Sequence, residues 1–81
     1  MTIRKWNYKT KDYDKYEVPD DWNVVIFCTN MNEPVNCPHC GKQLPYGETY
    51  TSLEIHTTLG IGAAVCGECY EKENQRRKEN G

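Results

Sequence analysis

Residues 36–47 read NCPHCGKQLPYG, and the fold depends on how Cys37 and Cys40 within them are used. A Cys-x-x-Cys step can carry a redox-active dithiol or form half of a metal site. Gly41 directly follows Cys40, where a metal knuckle needs backbone N–H groups to curl round toward the sulfurs. The next residues, Gly-Lys-Gln-Leu-Pro, are poor material for the helix that a dithiol active site opens. A second step, Cys66-x-x-Cys69 in VCGEC, follows after a 25-residue spacer, residues 41–65. Four thiolates at about 2.3 Å satisfy a tetrahedral Zn²⁺ and leave no position for water, which marks a structural rather than a catalytic site. The expectation is therefore one structural zinc held by Cys37, Cys40, Cys66 and Cys69.

Working outward, the chain needs such a staple. Its 81 residues make one small domain, 37% apolar, with Val24-Val25-Ile26-Phe27 as the only sizeable apolar run. A chain of this size buries only about 60% of the surface it exposes when unfolded, so disulfides or a metal are the usual reinforcement. The N-terminal MTIRKWNYKTKDYDKY has charges and aromatics where a signal peptide has an apolar stretch, and no run approaches the ~20 apolar residues of a membrane span. The protein is expected to be soluble and cytoplasmic, a compartment where clustered cysteines favour metal over disulfides. The fifth cysteine, Cys28, reads as a small buried hydrophobe closing VVIFC.

The pattern also divides the chain. Residues 1–35 read as an N-terminal arm with one strand at 22–28, packing on a four-cysteine module at 36–81. Within the module, CPHCGK is a tight turn and QLPYGE a second loop. TYTSLEIHTT (49–58) alternates like a strand, with Leu53 and Ile55 on one face and Tyr50, Glu54 and His56 on the other. LGIG (59–62) supplies a hairpin turn and AAVC (63–66) the returning strand. GECYEKENQRRKEN (67–80) reads as a helix, with Glu68–Lys72 and Glu73–Arg77 as i,i+4 pairs and Gly81 ending the chain. The Cys66–Cys69 pair sits at its start, where the helix dipole favours thiolate.

Knuckle, hairpin and a helix start carrying the second pair resemble a treble-clef zinc finger, with CPHCG as the knuckle and VCGECYEKE as the helix start. The chain as a whole also looks like small zinc proteins of bacteria and their phages. The resemblance covers residues 36–79 and implies a small α+β, zinc-stabilised fold rather than any particular activity. Its spacer is longer than the common 15–20 residues, which implies a longer hairpin. A rubredoxin would also have a CPHCG knuckle, but Tyr70 and a charged helix stand where its second loop would need a small residue.

Candidate partner-binding residues lie outside the clamp. Arg4, Lys5, Trp6 and Tyr8 belong to a stretch, 2–16, in which five bases face two acids and aromatics interleave; His56, Arg76 and Arg77 join them. Basic residues among aromatics suit a single strand of nucleic acid, and they equally suit an arm packed across the zinc module. His39 reads as an outward-facing spacer, and Arg76, Arg77 and Lys78 as solvated residues at the helix C-terminus. No Ser/His/Asp set, phosphate loop or inward carboxylate pair is legible. The sequence thus predicts a non-enzymatic zinc module for protein partners, with a nucleic-acid-binding regulator as the alternative and a thiol or iron redox protein as a more distant one.

Overall fold

The first seventeen residues, expected as part of an arm whose one strand is at 22–28, form a β-hairpin. In the computed structural model, which describes residues 1–56 and 60–80, β1 (Thr2–Asn7) pairs antiparallel with β2 (Asp12–Glu17), placing Ile3 opposite Tyr16, Lys5 opposite Asp14 and Trp6 opposite Tyr13. No Asn-Gly pair announces the turn. Instead the Asn7 side-chain oxygen accepts hydrogen bonds from the Lys9 and Thr10 amides, and Lys11 takes φ 56° to close the loop. An Asn side chain standing in for backbone in this way is a turn device that leaves little compositional trace.

Two short strands, β3 (Pro34–Asn36) and β4 (Gln43–Pro45), flank the Cys37–Cys40 turn as a separate ladder, and a 3₁₀ turn follows at Tyr46–Glu48. The expected second loop is therefore half strand. β5 (Tyr50–His56) and β6 (Gly62–Val65) are the predicted hairpin. The predicted extension to Thr58 and the turn residue Leu59 lie outside the described residues, as does Gly81. The four-stranded sheet has the order β2-β1-β5-β6, so strands from both ends of the chain meet at the β1–β5 seam. Helix α1 (Gly67–Asn80) matches its expected bounds.

The VVIF run is not a strand. Residues 22–28 run beside β6 and make one backbone bond to it, from the Ala64 N–H to the Val25 carbonyl at 2.9 Å. Val24 and Trp22 pack on the core formed by Ile3, Val18, Ile55 and Ala63, while Phe27 is 71% exposed. The run covers a sheet edge instead of extending the ladder. Cys28 is half-buried, with its Sγ 3.4 Å from the Asn30 carbonyl, so its expected full burial is not met. A second core consists of Cys37, Val65, Cys66 and Cys69, with Leu44 and Tyr70 against it. Three of its four buried members are cysteines.

Candidate metal centre

Each half of the cysteine cluster is shaped locally. The Gly41 N–H donates to the Cys37 carbonyl at 2.7 Å and the Cys37 N–H to the Lys42 carbonyl at 2.9 Å, closing the knuckle between β3 and β4. Gly41 has φ +79°, and a Cβ there would stand 2.6 Å from the Trp22 ring. Both facts require glycine. Across from it, β6 delivers Cys66 to the start of α1, and the Tyr70 N–H donates to the Cys66 carbonyl at 2.9 Å.

The four sulfurs lie within 4.8 Å of one another, Cys40 and Cys66 at 3.7 Å. Sulfurs at the corners of a tetrahedron with a Zn–S distance of about 2.3 Å are ~3.8 Å apart, so the donor set fits a tetrahedral thiophilic cation. Its electrostatics agree. Burial and neighbouring thiols push Cys69 well above the ordinary thiol range. Burial also raises Cys37, although the backbone N–H groups of Cys66, Cys40 and His39 pull against it. Burial acts upward on Cys66 too, but the Cys69 backbone and the other three thiols outweigh it and leave Cys66 lowered. A cation bound to the sulfurs would displace the protons that burial holds on Cys37 and Cys69.

Beside the cysteines lies a buried polar network that the sequence reading missed. His39 does not face outward. Its Nε2–H donates to Glu73 Oε2 at 2.5 Å, with the His39 side chain 10% exposed and that of Glu73 fully buried. Glu73 also accepts from the Ser52 hydroxyl (2.6 Å) and the Leu53 N–H (2.6 Å). Burial alone would raise its carboxyl; the bonds from His39, Ser52 and Leu53 outweigh that and hold it below the usual carboxylate range. As an ionised acceptor it leaves the donor role to His39. Glu54 is buried beside it, not on a solvent face, and receives a two-pronged bond from Arg76 at 2.8 and 2.6 Å. An inward carboxylate pair therefore exists, and Arg76 is no solvated cap. Cys69, Glu73 and Arg76 are spaced i, i+4, i+7 and share one helix face. Because α1 carries hardly any apolar residues besides Cys69 and Tyr70, this polar stripe is what docks it on β5.

The remaining candidates gather on β1 and its surroundings. Arg4 stacks on Tyr13, whose ring meets Trp6 and His56 edge-on at 5.0 and 5.3 Å. Lys5, Trp6, Tyr8 and Arg76 border one groove, and Trp6, Tyr8, His56 and Arg77 border the hollow beside it. His56, expected on a solvent face, is half-buried, and its Nδ1 has no hydrogen-bond partner among the described residues. Among the described residues, no helix is long and apolar enough to cross a membrane. No family model, curated protein or solved structure matches the chain.

Proposed function

We propose that the protein is a zinc-clamped, non-enzymatic binding module of treble-clef type that holds a protein partner. Zinc is favoured by four thiolate donors at tetrahedral spacing. The treble-clef reading rests on the order of knuckle, hairpin and a helix start carrying the second pair. A saturated thiolate shell supports a structural role, and the buried carboxylates are tied to Arg76 and His39 rather than turned to a substrate.

The observation that carries the protein-binding reading is the apolar trough at the covered sheet edge. Met1, Ile3, Val24, Val25, Ile26, Phe27 and Ala63 line a cavity of about 370 Å³ with Thr2 as its one polar wall, and Phe27 stands 71% exposed beside it. An apolar segment of another protein suits this surface. A photo-crosslinker at position 27 should give one dominant adduct in the source cell, lost with Ile26→Asp and not produced from exposed Glu71. Equal adducts from positions 27 and 71, or none from 27, overturn the protein-binding reading. Native mass spectrometry should show one zinc per chain; a coloured, iron-loaded protein overturns the zinc assignment.

A further inference from the structure

A further cavity shares no lining residue with the cysteine clamp or the apolar trough. It is a groove of about 630 Å³ between the β1–β2 hairpin and the C-terminal half of α1. Its floor acid, Glu54, is occupied by the Arg76 fork, and its rim acid, Asp14, accepts a bond from Asn7 Nδ2 at 2.8 Å. Its lysines are differently placed. Among the described residues none of Lys5, Lys9 and Lys15 forms an ion pair, although Lys5 lies over the Tyr16 ring at 5.1 Å. The groove therefore offers a partner cationic groups while its acids are already engaged. Trp6 and Tyr8 line this groove and also the adjoining hollow of about 340 Å³, so the two cavities share a pair of aromatic residues.

We propose that this double groove binds single-stranded nucleic acid, with phosphates held by Lys5, Lys9 and Lys15 and bases stacked at Trp6 and Tyr8. Cations along a channel interleaved with aromatics are what a single strand requires: the ammonium groups neutralise the backbone, and any base can stack on a ring. An acidic peptide would satisfy the lysines but leave the aromatic junction unused. A duplex would keep its bases stacked internally and away from the rings. A lone nucleotide would fill one cavity, whereas two cavities that share Trp6 and Tyr8 suit several residues of a strand. This surface is independent of the proposed protein-binding trough, so either can fail without the other.

The test is anisotropy titration of the zinc-loaded protein with a fluorescent 12-nucleotide single strand of mixed sequence. Three phosphate contacts predict a slope of log K against log salt of about −2, from ~0.7 per contact. Lys9→Gln/Lys15→Gln should flatten that slope to about −0.7 and weaken binding at least tenfold in low salt. These residues border the groove at the surface, and retained zinc content and circular dichroism will show that the variant is folded. Binding should quench tryptophan emission in the parent and in Trp22→Phe but not in Trp6→Phe. Phe27→Asp should bind the strand like the parent. The proposal is overturned by absence of binding at 50 mM salt or by an affinity insensitive to the lysine changes. It is equally overturned if polyglutamate, duplex of the same length or a mononucleotide competes as well as unlabelled single strand.

Discussion

Glu73 shows how one side chain can be decisive without any local signal. It lies 34 residues from His39, and on the sequence it reads as one more solvated helix acid paired with Arg77. In the fold it accepts bonds from three donors on two segments, His39 in the knuckle and Ser52 and Leu53 on β5. Glu73→Ala should therefore destabilise the zinc-loaded protein by about 3–5 kcal/mol, because it strands buried donors around the lost charge. Glu73→Gln keeps an oxygen for Leu53 and should cost less. Denaturant melts of both variants test that order. With its folded value depressed, the contribution of Glu73 is present above the ordinary 4.5 and lost as pH falls through the folded value. Gly41, by contrast, was readable, because a glycine after a Cys-x-x-Cys step has a backbone reason. Gly41→Ala combines a left-handed φ with a clash against Trp22, and should lower the melting temperature and weaken metal retention. A variant with unchanged melting and metal content would contradict this account of the knuckle.

At the scale of elements, legibility followed periodicity and spacing. β5 and α1 were readable because one alternates and the other runs without a breaker from Gly67. The β1–β2 hairpin was hidden because both its faces carry charged residues and its turn is made by Asn7 rather than by glycine. VVIF misled in the opposite direction: apolar composition indicates burial, and here a sheet edge needed covering without a full ladder. The helix shows the same limit. Its docking stripe is Cys69, Glu73 and Arg76, so apolar patterning could not reveal the buried face. Removing the Arg76 fork should consequently loosen the second half of α1 while its cysteine-anchored start holds. In hydrogen exchange of Arg76→Met, amides of 74–80 are expected to lose protection by tenfold or more, with Tyr70 unchanged. Uniform loss along the helix would mean that the fork does not act locally.

For the molecule as a whole, the cysteine cluster and the sheet share a strand. β6 serves both cores, with Ala63 in one and Val65 in the other, and the second of those cores is mostly sulfur. Chelation should thus unfold residues 1–80 in one transition rather than release the module alone, with loss of amide dispersion throughout as the readout. A hairpin β1–β2 that stays ordered without metal would refute this coupling. Metal binding should also displace protons. Cys37 and Cys69 are pushed toward the thiol form, so zinc affinity falls as pH falls. Calorimetry in buffers of different ionisation enthalpy should give at least two protons released per zinc at pH 7. The clustering of the four cysteines was legible from their spacing, whereas the network beside them was not, since buried charge pairs arise from tertiary placement rather than from any repeat.

The strand order β2-β1-β5-β6 also bears on how the chain is made. The β1–β2 hairpin leaves the ribosome before its neighbour β5 and the second cysteine pair. At the ~5–20 residues per second of synthesis, Cys37 and Cys40 wait on the order of seconds before Cys69 emerges. During that interval the nascent chain is a thiol pair exposed to oxidants and to stray copper, so its faithful maturation depends on the reducing state of the compartment where it is translated.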